Sequence, residues 1–171
     1  MPNYCQNRAT ITGPNRVIDK IKSILESENG CLLNYMVPEP VYENDTDWYD
    51  WRVNNWGCKW SICNPQIIDD ESTEITFEFE TAWGPCVEAF HTWAAKQEGV
   101  EFSLEYFEPG VGFVGVATYQ DEMFDDDFVS ASTMSDTYKE MAFDLFGWEE
   151  EPEPEPLTDW YKQGVIDKGL E

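Results

Sequence analysis

The stretch from Glu74 to Thr81 restricts the fold of this chain more than any other. Ile75, Phe77 and Phe79 alternate there with polar and acidic residues. Because successive side chains of a β-strand point to opposite sides of the sheet, this alternation predicts a strand with one apolar and one acidic face. The chain therefore has to build a sheet whose apolar side is covered by other elements.

Other segments repeat either this alternation or the period of an amphipathic helix. A helix with an apolar stripe follows the turn at 13–15, another begins near Pro85, and a short one is expected near 46–55. The predicted strands are 5–12, 58–63, 74–81, 100–107 and 113–119.

The resulting order, β-α-β-β-α-β-β, is that of a ferredoxin-like α+β sandwich with one added edge strand. Such a sandwich places 5–12 between 74–81 and 100–107, with the helices on one face of the sheet and the other face open. We therefore predict a ferredoxin-like domain over residues 1–120. Three further segments are expected to follow it: an acidic loop and a helix at 121–148, a Glu-Pro spacer at 149–156 and a short amphipathic segment at 157–171.

Charge excludes several classes of function. The 171 residues include 35 Asp and Glu against 10 Lys and Arg, a formal net charge of −25. A field this negative repels nucleic acids and anionic lipids, so neither direct nucleic-acid binding nor membrane-surface binding is expected. The sequence shows no signal peptide, no apolar run of membrane-spanning length and five scattered cysteines, which together predict a cytoplasmic protein.

Residues 110–115 spell G-x-G-x-x-G, the pattern of a dinucleotide-binding loop. Such a loop has to follow a strand and open a helix, whose N-terminal amides hold the pyrophosphate. Here the pattern opens a strand among acidic residues. The glycines are therefore interpreted as serving a hairpin turn and a strand kink, and no cofactor is expected.

A metal site and a catalytic site are both disfavoured. Cys58, Cys63, Cys86 and His91 lack the spacing of a zinc ribbon, and Cys86 and His91 point in different directions on one helix. That geometry also disfavours a Cys–His nucleophile pair. Carboxylate pairs are so numerous in this chain that their presence carries no information. We therefore predict no metal and no enzymatic activity.

Three motifs and the opening residues carry a resemblance to a known family. They are 1–7 (MPNYCQN), 55–60 (NWGCKW), 77–85 (FEFETAWGP) and 106–115 (YFEPGVGFVG). In this order they resemble the YubB-like proteins of bacteriophages and plasmids, over roughly residues 1–118. The resemblance implies a ferredoxin-like domain, an origin on a mobile element and action inside a bacterial cell. It implies no catalytic residues.

The open face of the predicted sheet is the first candidate site. Alternate residues of a strand lie roughly 6.5–7 Å apart and neighbouring strands about 4.8 Å apart, so carboxylates there form a grid with spacings comparable to those of nucleic-acid phosphates. We expect this grid, which surrounds Arg8, to bind a basic host protein. The candidate partner-binding residues are Glu74, Glu78, Glu80, Glu101, Glu105, Asp125, Asp126 and Asp127.

The leading hypothesis is therefore a small acidic phage or plasmid protein that binds and inhibits a nucleic-acid-binding or defence protein of the host, in the manner of a DNA mimic. The simplest alternative is that the charge serves solubility alone. Another is a virion or assembly component that docks through the segment around Trp160. The sequence does not predict the oligomeric state.

The tryptophan-rich region allows two further interpretations. Its rings can form a core cluster that supports an irregular segment, or they can anchor an exposed interface. The alternative function attached to this region is a small-ligand-binding or enzymatic module. The residues expected to line its pocket are Asn55, Trp56, Lys59, Trp60, Trp83 and Glu108.

Overall fold

The computed structural model describes residues 3–28 and 30–149, which form one six-stranded antiparallel sheet and five helices. The sheet order is β2-β3-β1-β4-β5-β6. The strands are β1 (Tyr4–Thr12), β2 (Cys63–Asp70), β3 (Glu74–Ala82), β4 (Glu101–Glu108), β5 (Phe113–Gln120) and β6 (Met123–Ser130). The helices are α1 (Asn15–Leu25), α2 (Leu32–Met36), α3 (Asp47–Trp56), α4 (Val87–Ala94) and α5 (Ser135–Phe146).

The core lies between one face of the sheet and helices α1 and α4. Strand β1 lies between β3 and β4, as the sequence predicts. Ile11, Phe77 and Leu104, one from each of these strands, are fully buried together with Ile18 of α1 and Phe90 of α4. Apolar alternation in three neighbouring strands thus builds the covered side of the sheet.

The short strand expected at 58–63 is misplaced, because β2 runs from Cys63 to Asp70. It is an edge strand, and its pairing with β3 shifts register twice. Ile67 is the β2 residue that packs against the core. A strand with so little buried surface has no clear alternation, which explains why periodicity did not locate it.

The acidic loop expected after residue 120 is instead strand β6. A two-residue turn at Asp121 and Glu122, both with positive φ, returns the chain along β5. Turn positions with positive φ usually carry glycine. Because this turn has none, the sequence gives no signal for the hairpin. The helix expected within 121–148 is α5, which begins at Ser135.

The prediction of a fully open second face is wrong for one corner of the sheet. Tyr138 and Ala142 of α5 are buried in a small second core that also contains Phe107, Val114 and Val129. Helix α5 thus covers the corner of the face that carries apolar side chains, and its end reaches Arg8, whose Nη1 donates to the Leu145 carbonyl at 3.2 Å.

Within residues 3–28 and 30–149, no helix combines the length and apolar character needed to cross a bilayer. The predicted amphipathic segment at 157–171 and all but the first residue of the Glu-Pro spacer lie outside the described residues.

Candidate functional site

The sheet face opposite α1 and α4 carries carboxylates in ordered rows, and we call it the acidic face. Strand pairing places Arg8 directly between Glu78 and Glu105. In a parallel row, Thr12 lies between Glu74 and Glu101. The expected grid therefore exists, with Glu74, Glu78, Glu80, Glu101 and Glu105 all on this face.

Arg8 neutralises part of the grid. Its Nε and Nη2 donate to Glu78 Oε1 at 3.0 and 2.8 Å, and its Nη1 donates to Glu105 Oε2 at 3.1 Å. The hydrogen bond with Glu78 is the main cause that raises the pKa of the Arg8 guanidinium, and the charges of both glutamates add to it. Two of the five predicted glutamates are therefore paired within the chain.

Two of the other glutamates of the face accept hydrogen bonds from neutral groups. The Thr12 hydroxyl donates to Glu74 Oε2 at 3.1 Å, and Asn64 Nδ2 donates to Glu80 Oε2 at 2.8 Å. Neutral donors leave the full negative charge in place. Glu74 and Glu80 thus remain sources of an uncompensated field.

Strand β6 divides the three consecutive aspartates between the two sides of the sheet. Asp125 and Asp127 pair with Thr118 and Val116, whose side chains are on the acidic face. Asp126 pairs with the core residue Ala117. Its Oδ1 accepts a hydrogen bond of 2.6 Å from the buried Tyr106 hydroxyl. The prediction that all three aspartates form one partner-binding patch therefore fails for Asp126.

A row of hydroxyl groups crosses the middle of the acidic face. The register aligns Thr76, Thr10, Ser103 and Thr118 on four neighbouring strands. The Thr10 and Thr76 hydroxyl oxygens are 3.0 Å apart. This row separates the Arg8 row from the Thr12 row, so the face offers charged and uncharged hydrogen-bonding groups in alternating lines.

One end of the acidic face deepens into a cleft of about 640 Å³. The cleft lies between β1, β3, the start of β2 and the end of α5. Its lining is polar and charged apart from Pro65, Phe79 and Phe146. The side chains that define it are Gln6, Arg8, Asn64, Gln66, Glu78, Glu80 and Phe146.

The six residues expected to line a tryptophan pocket do not share one. Trp56 is fully buried, and its Nε1 donates to the Val37 carbonyl at 2.9 Å. Asn55 donates to the Trp51 carbonyl within its own helix. Glu108 is buried, and its carboxylate accepts hydrogen bonds from the backbone N–H groups of Gly110 and Val111 in the turn. These three residues hold the fold.

Lys59, Trp60 and Trp83 do come together, at the surface. The Lys59 Nζ lies 4.9 Å from the Trp60 ring centroid and 4.5 Å from that of Trp83. The Tyr49 ring meets Trp83 edge-on at a centroid distance of 6.1 Å. We call these four residues the aromatic surface. It corresponds to the interface-anchor interpretation of the tryptophan-rich region.

Trp83 is also held in an unusual backbone conformation. Its φ is +72°, a region that bulky side chains rarely adopt, although 42% of the residue is exposed. Asn7 Nδ2 donates to Thr81 Oγ1, which donates to the Gly84 carbonyl, both at 2.8 Å. This buried network fixes the turn around Trp83. Periodicity gives no signal for such a conformation.

The glycine motif at 110–115 belongs to the β4–β5 hairpin, as expected. Gly112 has a φ of +84° in the turn. Gly115 has a different role from the predicted kink, because a Cβ there would overlap the Tyr106 ring. Because Gly115 has no Cβ, the Tyr106 side chain can pass over β5 and reach Asp126 on β6.

Three of the five cysteine side chains are buried, and they and the histidine serve packing. Burial raises the pKa of both Cys5 and Cys58 to about 12 and that of Cys86 well above its ordinary value. Protonated thiols are poor nucleophiles and poor metal ligands. The His91 ring stacks on the Phe124 ring, with 4.1 Å between the ring centroids. Within the part of the chain that the structure describes, no group of three or more His, Cys, Asp or Glu residues is placed to hold a metal ion.

Comparison with known proteins places the chain in a family. The sequence model described as "Ferredoxin-like domain in Api92-like protein" matches residues 59–151, more than half of the chain. The chain belongs to this family. The match confirms the ferredoxin-like class, and it includes β6 and α5, which follow the predicted boundary at residue 120.

A solved structure supports the same fold. The chain is similar to the crystal structure of protein api92 from Yersinia pseudotuberculosis, with a TM-score of 0.56 and 12% identity. The similarity covers 76% of this chain and 98% of the other. At this identity it shows the fold alone. No curated protein sequence matches the chain, and the narrower likeness to YubB-like proteins stays a prediction.

Proposed function

We propose that this Api92-like protein is a non-catalytic binding protein whose acidic face docks on a basic surface of another protein. The observation that carries the proposal is the ordered display of carboxylates on neighbouring strands. Glu74 and Glu101 flank Thr12 in one row, and Asp125 and Asp127 extend the display to the edge of the sheet. A rigid sheet fixes these spacings before binding, which lowers the entropic cost of association.

Electrostatics support a basic partner. Like charges on one face repel each other, and a partner that neutralises them stabilises the complex relative to the free protein. Complementary potentials also accelerate the encounter of the two proteins. Arg8 limits the repulsion at the centre of the face, whereas the carboxylates around it remain available.

The class of partner follows from the spacing of the charges. Proteins that bind nucleic acids present Lys and Arg to rows of phosphates. A carboxylate grid with similar spacing would occupy such a surface and inhibit it. We propose a nucleic-acid-binding or defence protein of a bacterial cell as the target, and a phage or plasmid origin and cytoplasmic action for this protein, in line with the resemblance to YubB-like proteins.

The aromatic surface supports a second candidate, a binding site for a small ligand or an interface anchor. The observation that favours it is the exposure of Trp83 in a strained conformation, because strain that the fold maintains often marks a functional site.

The two candidates can be separated in one experiment. The full-length protein is used to capture a partner from bacterial lysate, and affinity for the purified partner is then measured at several salt concentrations. Neutralising Glu74, Glu80 and Glu101 with the variant E74Q/E80Q/E101Q should weaken binding at least tenfold. The matched control is E26Q/E28Q/E88Q, which removes the same charge from exposed positions off the acidic face.

The possible outcomes distinguish the acidic face, net charge alone and the aromatic surface as the cause of binding. Loss of affinity in the face variant but not in the control, with a steep salt dependence and competition by DNA, supports the proposal. Equal effects of the two triple variants would show that net charge alone is responsible, and failure to find a basic partner would also reject the proposal. Binding that is lost in Trp83→Gly but kept in the face variant would favour the aromatic surface instead.

A further inference from the structure

The two edges of the sheet differ in how they are protected against further strand pairing. Strand β2 contains Pro65, which lacks a backbone N–H, and shifts register twice against β3. Proline and bulges are devices that block an edge. Strand β6 has neither, and its eight residues pair with β5 in one unbroken register.

The free edge of β6 is also unusually apolar for an exposed strand. Within the described residues, no strand pairs with its outer side. Met123, Phe124 and Phe128 are 71%, 38% and 55% exposed. A regular edge strand presents a row of unpaired N–H and C=O groups that can template another chain. The edge therefore offers both backbone hydrogen bonds and side-chain contacts to an added strand.

The charges on β6 select the kind of strand that can be added. A second copy of this chain is disfavoured, because antiparallel pairing centred on Asp126 would place Asp125 opposite Asp127 on both sides of the interface. Like charges directly opposite each other destabilise strand pairs, whereas opposite charges stabilise them. The chemistry of β6 thus calls for a basic strand.

We propose that β6 binds an extended basic segment of a partner protein as a seventh strand. Two Lys or Arg residues, two positions apart, would lie opposite Asp125 and Asp127 on the acidic face. Apolar residues just outside this pair would lie opposite Phe124 and Phe128 on the other side of the sheet. Main-chain hydrogen bonds would supply affinity, and the alternating side chains would supply specificity.

This inference rests on the proposed function in one respect, since both require a basic protein partner. It adds the mode of recognition, which depends on the free backbone edge of β6 together with Asp125 and Asp127. Asp125 and Asp127 belong to the edge strand β6, whereas Glu74 and Glu101 lie on the inner strands β3 and β4. The two proposals can therefore fail separately.

The test uses the full-length protein and three synthetic ten-residue peptides. The first contains the pattern Val-Lys-Thr-Lys-Val, the second has the same composition with adjacent lysines, and the third repeats the first with alternate backbone amides N-methylated. The first peptide should bind at least tenfold more tightly than the other two. It should also slow amide hydrogen exchange at residues 123–130, as measured by NMR.

Variants separate the edge from the rest of the acidic face. D125N/D127N should weaken the first peptide at least tenfold, whereas the matched variant E74Q/E101Q should change its affinity by less than threefold. If the peptide binds as expected but partner capture does not depend on the acidic face, the proposed function fails and the edge inference stands.

Several results would overturn the inference. Equal binding of the N-methylated peptide would show that charge alone attracts the probe. If D125N/D127N causes self-association and leaves peptide affinity unchanged, these aspartates serve only to prevent aggregation. A cross-link between β6 and residues 157–171 of the same chain would show that the protein covers its own edge.

Discussion

The two faces of the sheet are built from the same strands but differ in composition and burial. On the face covered by α1 and α4, alternate residues are apolar and fully buried, as Ile11, Phe77 and Leu104 illustrate. On the acidic face, the intervening positions carry hydroxyls and carboxylates that stay partly exposed. Burial of the first face offsets the repulsion on the second, so the fold tolerates an acidic face, for which we propose a role in recognition.

Polar groups follow the same division. On the covered face Asn7 is almost fully buried, and its amide donates to the Cys5 carbonyl and the Thr81 hydroxyl, both at 2.8 Å. Each hydrogen bond there avoids the cost of an unpaired buried group. On the acidic face, the glutamates retain charge that only Arg8 offsets directly within the strands. The difference predicts large stability effects on the first face and small ones on the second.

The largest effect should come from Gly115→Ala. The added Cβ would overlap the ring of Tyr106, which is almost fully buried and held by its hydrogen bond to Asp126. Overpacking of this kind costs about 3 kcal/mol. Urea denaturation of the variant and the parent protein would measure the loss of unfolding free energy.

The control for this prediction is the double variant G115A/Y106L, in which the shorter side chain leaves space for the methyl group. It should recover part of the lost stability, so that the two changes are strongly non-additive. A single variant as stable as the parent protein would contradict the packing of Tyr106 over β5.

The covered face was the predictable part of the fold. Strict alternation in β1, β3 and β4 predicts the strands, and the ferredoxin-like order of strands and helices predicts that β1 lies between β3 and β4. The acidic face at Glu74 and Glu101 follows from the same alternation. Once the strands pair in this register, Glu74 and Glu101 lie on either side of Thr12 in one row.

Sequence periodicity did not predict strand β6, the docking of α5 or the backbone conformation of Trp83. These features depend on turn conformation and on contacts between distant segments. Strand β6 was hidden because Asp125, Asp126 and Asp127 obscure its alternation and its turn lacks glycine. The docking of α5 did leave a signal, since Phe107 and Val114 are apolar at acidic-face positions. Such a break in an otherwise polar face indicates where another element lands. The left-handed backbone of Trp83 had no comparable signal.

An alkaline shift should produce the next largest effect, again through the covered face. Burial raises the pKa of Cys5 and of Cys58 to about 12 in the folded protein. A group whose pKa is raised by folding contributes stability below its unfolded pKa and loses it as the pH increases. Each thiol should therefore cost about 1.4 kcal/mol per pH unit above roughly pH 9.

Urea denaturation in the presence of reductant, at intervals from pH 8 to pH 10, would measure this slope. Cys5→Ala should lower the stability at pH 8 but flatten the dependence on pH. A stability that stays constant to pH 10 in the parent protein would contradict the burial of the two thiols.

The smallest effect is expected from Arg8→Met, which acts on the acidic face. Methionine keeps much of the arginine stem but leaves Glu78 and Glu105 without their shared cation. These side chains are 43% and 25% exposed, so solvent screening limits the loss of stability to about 0.5–1 kcal/mol. High salt should reduce the loss further, and adding Glu105→Gln should recover part of it. The same variant should bind a basic partner more tightly than the parent protein, because the face loses its internal competitor. A loss as large as that of Gly115→Ala, measured by the same denaturation, would mean that this face holds the fold together rather than serving recognition.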